Sequence, residues 1–237
     1  GEPLCDACRA GRPAAVRSLL AEGAPPDAKD AQGATPLVLA CDAHKLDLIA
    51  LLLDARAEPN LPAYGGVTPL FTAASKNSTE LARLLCEAGA APDGLCNGYY
   101  TPMLACTKQR DGEGVARVLL EAGADPNYRA EKWGTPLHAA AAAGRPAVLR
   151  LLVAAGGDLS ALHNDQTPLE TAEARGRADA VKLLRTEAAL AKRRQAKLQQ
   201  AASAATTNPA MVAAEAALAA AEAAEAKADA AADGRRR

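Results

Sequence analysis

The chain has 237 residues, 49% hydrophobic but only 3% aromatic, and its 27 Lys and Arg against 28 Asp and Glu leave a formal net charge of −1. Such a balance gives no global attraction to nucleic acid or to an anionic membrane. No apolar run is long enough to span a bilayer and no charged-then-apolar leader opens the chain, so a soluble protein away from membranes is expected.

In chain order, one tripeptide punctuates the sequence: Thr35-Pro36-Leu37, Thr68-Pro69-Leu70, Thr101-Pro102-Met103, Thr135-Pro136-Leu137 and Thr167-Pro168-Leu169, with the threonines 33, 33, 34 and 32 residues apart. A second ladder, Gly23, Arg56, Gly89, Gly123 and Gly156, runs in phase with it. A fixed period of this length marks a repeat architecture. Each threonine is placed to cap a short helix whose first turn holds the proline, where a missing N–H costs nothing. After an inter-helix loop, a second helix carries the leucine pairs Leu51-Leu52, Leu84-Leu85, Val118-Leu119, Leu151-Leu152 and Leu183-Leu184. The ladder glycine just beyond it supplies a left-handed residue. A polar, turn-prone run then leads to the next Thr-Pro and reads as a hairpin loop. Glu2-Pro3-Leu4 lies one period before Thr35, so residues 1–34 read as a sixth copy with glutamate in place of threonine. Leu4, Cys5 and Cys8 in this first copy are expected to form an apolar outer face, which suggests a piece of a longer protein.

Thr135-Pro136-Leu137-His138-Ala139-Ala140-Ala141, followed by Gly156, resembles the ankyrin repeat, and the resemblance covers roughly residues 2–189. It implies an all-α solenoid of helix–loop–helix units with projecting β-hairpin fingers, with repeats near 2–34, 35–67, 68–100, 101–134, 135–166 and 167–189. A repeat domain over 1–190 is followed by an Ala-rich tail over 191–237. Solenoids bury their apolar surface between neighbouring repeats, so few aromatics are needed.

Chemistry for catalysis is missing from the pattern. No nucleophile elbow, zinc-protease helix, phosphate-binding loop or dinucleotide fingerprint occurs, and no enzyme activity or cofactor is expected. The resemblance gives His138 a structural role tying neighbouring backbone together; His44 and His163 read as solvated. Cys8, Cys41, Cys86 and Cys106 read as buried small hydrophobes, and Cys96, at a finger position often held by aspartate, as the most accessible thiol. Cys5-Asp6-Ala7-Cys8 has no second ligand pair, so no metal site is expected. Six unpaired thiols point to a reducing compartment: cytoplasm, nucleus or plastid stroma.

A surface for recognition is what remains. The resemblance implies that fingers and first helices line a concave face, and that finger side chains one, three, four and six residues before each threonine point outward. Five of the six aromatics, Tyr64, Tyr99, Tyr100, Tyr128 and Trp133, lie in the fingers. Such rings serve either as a contact surface or as finger-on-finger packing. Tyr99 and Trp133 replace the usual turn glycine two residues before the threonine, so these turns are expected to shift by one residue onto Gly98 and Gly134. The repeat opening at Thr101 carries one extra residue in its inter-helix loop. Lys76, Lys108 and Gln109 in the loops, with Arg129 and Lys132 in a finger, read either as a solvated rim or as a docking surface for an acidic partner. The candidate contact set is therefore Tyr64, Val67, Leu95, Tyr99, Tyr100, Arg129, Lys132 and Trp133, with Lys76, Lys108 and Gln109 beside it.

The tail is alanine-rich, and alanine favours helix. One helix can run from Arg177 to about Ala205, with Leu184, Ala191 and Leu198 at coiled-coil spacing, a break at 206–209, and a second helix to about Ala232 that folds back so that Arg194 meets Glu222; the other reading of so weakly apolar a segment is a solvated, partly disordered tail. The function expected is a non-catalytic protein-interaction scaffold, a monomer or a subunit of a hetero-complex. The alternatives are a regulatory segment of a larger enzyme and a reader of methylated lysine or peptide.

Overall fold

Each Thr-Pro step starts a helix in the computed structural model, which describes residues 2–207. The hydroxyl oxygens of Thr35, Thr68, Thr101 and Thr167 accept the N–H groups of Val38, Phe71, Leu104 and Glu170 at 3.2, 3.2, 3.3 and 3.3 Å. Each such cap is worth about 1 kcal/mol. The first helices are α1 (Glu2–Arg9), α3 (Pro36–Asp42), α5 (Pro69–Ser75), α7 (Pro102–Lys108), α9 (Pro136–Ala143) and α11 (Pro168–Ala174). The second helices are α2 (Pro13–Ala21), α4 (Leu46–Asp54), α6 (Thr79–Glu87), α8 (Glu113–Glu121), α10 (Pro146–Ala154) and α12 (Ala178–Thr207).

Every first helix packs on the next one, from α1 on α3 through to α9 on α11. Alanines make this close stacking possible: Ala40, Ala73, Ala105 and Ala140 are buried where longer side chains would hold the helices apart. From the second helices, Leu52, Leu85, Leu119, Leu152 and Leu184 complete one continuous core that begins at Leu4. Burying each leucine contributes about 1.5–3 kcal/mol. Leu4, Cys5 and Cys8 are buried at its start, under 2% exposed, so they pack inward on the second repeat and do not form the apolar outer face the sequence suggested.

The ladder residues after the second helices take the left-handed conformation, with φ of 88° at Gly23 and 87° at Gly89. Arg56 adopts φ 66° at the same place, a conformation that disfavours a side chain. Four residues beyond each ladder position, Asp27, Asn60, Asp93 and Asn127 tie the repeats together. They accept the backbone N–H of Glu58, Ala91, Asp125 and Asp158 in the following repeat at 2.9, 2.7, 2.9 and 2.7 Å. The two asparagines also donate, to the carbonyls of Gly89 and Gly156 at 3.0 Å.

Among the described residues the fingers are hairpins cut to their minimum. Three close on a single antiparallel pair, Cys96 with Tyr100, Ala130 with Gly134, and His163 with Gln166. The turn shift expected from the displaced glycines is present: Gly98 and Gly134 take φ of 76° and 69°, and Tyr99 and Trp133 stay at negative φ.

The chain divides into two units after Arg185, earlier than the boundary at 190 read from the sequence. In the second unit, α12 continues to Thr207, with Leu190 and Leu198 exposed. The second tail helix and the fold-back of Arg194 on Glu222 fall outside the described residues.

Candidate functional site

The large apolar side chains that the repeat unit leaves exposed are all on fingers. Tyr64 is 84% exposed, Leu162 51%, Tyr99 45% and Leu95 38%. Loops on a rigid stack are where recognition side chains are usually carried. Leu162 is not in the contact set read from the sequence, because a lone leucine in a shortened finger carries no signal that separates it from a packed one. It occupies the Leu95 position of the last, shortened finger, directly before the hairpin pair His163–Gln166 as Leu95 is before Cys96.

Beside this row lies a packed ring cluster. Tyr100 meets Phe71 of α5 edge-on at 5.5 Å between centroids, Tyr99 at 6.5 Å and Trp133 of the next finger at 6.1 Å. Tyr100 and Trp133 therefore pack finger to finger, whereas Tyr64 makes no ring contact among the described residues. Lys108, in the last turn of α7, covers the cluster: its Nζ lies 4.1 Å from the Trp133 ring centroid and 4.7 Å from that of Tyr100. An ammonium over aromatic faces is held by the ring quadrupole. The ring faces that a methylated lysine would require are thus occupied by the chain's own cation. Tyr100 Oη and Trp133 Nε1 are buried there without a hydrogen-bond partner.

The remaining candidate residues separate by environment. Arg129 donates to the Leu162 carbonyl at 2.9 Å and so straps two fingers. Lys132 is exposed on the same finger as Arg129, and Val67 is half-buried at the end of its turn. Lys76 is paired with Asp42 at 2.7 Å, and Gln109 donates to the Ser75 carbonyl at 2.8 Å, so both already tie neighbouring repeats. Finger positions three, four and six before the threonine are exposed as expected, but the position one before is not: Tyr100 is half-buried and Gly134 buried. That position pairs across the hairpin and so returns to the stack. A Cβ at Gly134 would lie 2.8 Å from the His163 Cβ and Cγ, which is why glycine is needed there.

His163 is accordingly not a solvated side chain; it packs on Gly134, and its ring lies 5.7 Å from that of His138. His138 Nε2 is 3.0 Å from the Gln166 carbonyl, which can only accept, so Nε2 carries the proton. Its Nδ1 is then free to accept from the Thr135 N–H at 3.3 Å, and Thr135 Oγ1 lies 2.9 Å from the same nitrogen. Burial pushes the His138 pKa below the usual histidine value and keeps the ring neutral. The structural role implied for His138 is what the geometry has.

Cys96 corrects the thiol reading. It is 2% exposed, because its finger position turns under the hairpin as Asp30 does in the first finger. Cys86 is the half-exposed thiol among the six, and the others are buried. Burial pushes Cys8 and Cys106 up to about 12. Away from the fingers, a 440 Å³ cleft lies between the inter-helix loops of the fourth and fifth repeats. Its lining mixes Arg110, Arg117 and Arg145 with Asp111 and Glu113, and Arg117 is already paired with Glu113 at 2.8 Å, so it presents no single charge to a ligand. No group of His, Cys, Asp or Glu among the described residues is arranged to hold a metal, and no described helix is long and apolar enough to cross a membrane.

A family profile described as ankyrin repeats (three copies) matches residues 1–63, 58–130 and 103–196. Similar solved structures include the human ASB11 ankyrin repeat domain, 25% identical with TM-score 0.69, covering 78% of this chain and 83% of that one. An ankyrin repeat domain from Acinetobacter baumannii is 24% identical with TM-score 0.73, over 78% and 97% of the two chains, and shares the fold. A chain from the Bdellovibrio bacteriovorus complex of a predatory endopeptidase with an immunity protein is 27% identical with TM-score 0.68, over 78% and 98%. No curated protein matches the sequence.

Proposed function

The chain belongs to the ankyrin repeat family, a family of protein–protein interaction modules, and from that premise we propose that it is a non-catalytic scaffold holding a partner protein or peptide on its fingers and first helices. One observation carries the reading: the exposed large apolar side chains of the repeat unit, Tyr64, Leu95, Tyr99 and Leu162, are gathered on the fingers. Apolar and aromatic groups left in water on one side of a rigid stack are the usual anchors of an interface. A similar chain comes from a complex of two proteins, which agrees with this use of the fold. The unpaired thiols favour a reducing compartment such as the cytoplasm. The scaffold works as a monomer or as one subunit of a hetero-complex.

Tyr64→Ala, Tyr99→Ala and Leu162→Ala test the reading, since their side chains are exposed and their loss leaves the melt near wild type. Truncating an interface anchor costs about 2 kcal/mol or more of binding. Partner binding should fall with these variants and not with Arg83→Ala on α6. Unchanged binding in all three finger variants refutes the assignment. Tyr100→Ala and Trp133→Ala belong to a different class: both rings pack between repeats, so both should lower the melting temperature.

A further inference from the structure

Where the third and fourth fingers meet, three hydrogen-bond donors sit in one cluster without an acceptor. The Trp133 Nε1–H can only donate, the Lys108 ammonium can only donate, and the Tyr100 hydroxyl has a proton to give. Trp133 Nε1 and Tyr100 Oη are buried and unpartnered, and among the described residues no carboxylate lies within ion-pair distance of Lys108. Buried polar groups are normally satisfied, and those that are not need an explanation. Lys108 Nζ is held only over the two rings, at 4.1 and 4.7 Å, a contact it can exchange for a stronger one.

We propose that this cluster is a receptor for a carboxylate side chain of an acidic partner segment. The proposal rests on the finger-face reading above and names the chemistry of that partner. A carboxylate brings two oxygens with about four lone-pair sites, enough to take Lys108, the indole N–H and the phenol together. On entry it draws the ammonium off the rings and satisfies the two buried donors. A cationic ligand would meet the opposite situation, since the ring faces already carry a positive charge. Arg129 and Lys132 stand on the Trp133 finger with Glu131 between them and leave these three side chains net positive, in a chain whose overall charge of −1 gives acidic peptides no general attraction.

The only tryptophan of the chain is Trp133, so its fluorescence reports on this cluster alone. The full chain is titrated with three capped peptides of one Gly-Ser framework that differ only in carrying Glu, Gln or Lys at the same positions. Saturable change in Trp133 emission is expected with the Glu peptide, at an affinity roughly tenfold or more above the Gln peptide, as one charge-assisted contact implies. Lys108→Met, which keeps an apolar stem over the rings, should lose that advantage, Lys108→Arg should restore it, and Arg17→Gln on α2 should leave it intact. Equal response to the Gln or Lys peptide, no response to any of them, or a Lys108→Met variant that keeps the Glu advantage each overturns the carboxylate receptor. None of these outcomes decides the finger-face reading, which stands or falls on the exposed-finger variants.

Discussion

Asp93→Asn should stabilise the protein. In the inter-repeat ladder, Asn60 and Asn127 each make two bonds to the following repeat: the side-chain oxygen accepts a backbone N–H and the Nδ2 donates to a carbonyl at 3.0 Å. Asp93 makes the first of these, to Asp125 at 2.9 Å, but its Oδ1 is buried with no partner. By register the carbonyl it lacks a donor for is that of Gly123. An amide there supplies the missing bond, and removing a buried orphan acceptor together with gaining that bond is worth about 1–2 kcal/mol. For a chain of this size that corresponds to a rise of about 2–8 °C in melting temperature, read by far-UV circular dichroism.

The pH dependence has a definite sign. Burial first, then the nearby Asp125 carboxylate, raises the Asp93 pKa above the usual carboxylate value. The folded state therefore binds this proton more tightly than the unfolded one, and wild-type stability falls as pH rises from the ordinary carboxylate value through the raised one. Protonated Asp93 has a donor of its own, so the advantage of asparagine should be full at neutral pH and shrink on acidification through that window. A variant that melts at or below wild type at neutral pH, or a gain independent of pH, refutes the ladder argument.

His138→Ala removes two side-chain bonds and a buried ring, and should cost about 2–4 kcal/mol in thermal or urea unfolding. Because burial lowers the His138 pKa, wild-type stability should also decline as pH falls from the ordinary histidine value toward the lowered one, and His138→Ala should lack that decline. Alkylation of the native protein, followed by peptide mass mapping, should label Cys86 well before Cys8, Cys41, Cys96 and Cys106, which are buried. Early labelling of Cys96 would show that the hairpin does not cover it.

The repeat could be read from the sequence because its signals are local. A Thr-Pro cap, a left-handed glycine and a leucine pair each act within a few residues, and the one-residue turn shift at Tyr99 and Trp133 followed from where the glycines stand. What depended on contact between repeats was not legible. Cys96, and Leu4 with Cys5 and Cys8, were misplaced because the side on which each packs is set by the neighbouring finger or helix. Lys108 read as a rim charge, since its reach back over Tyr100 and Trp133 depends on the side chain's path and not on its position. The ladder of Asp27, Asn60, Asp93 and Asn127 repeats as regularly as Thr-Pro-Leu, yet its purpose appears only when the accepting carbonyl and donating amide of the next repeat are in place. Tyr64, four residues before its threonine, remains in solvent, whereas Tyr100, one residue before its own, has Phe71 and Trp133 to pack on.

Site-specific photocrosslinking tests the interaction surface most directly. A photoreactive phenylalanine replaces Tyr64, Tyr99 or Leu162 on the fingers, and separately Arg83 or Arg117 on the second helices, and each protein is irradiated in complex with its partner. Adducts to one partner from the finger positions, with none from Arg83 or Arg117, are the expected result. Adducts from the second helices with silent fingers would contradict the account.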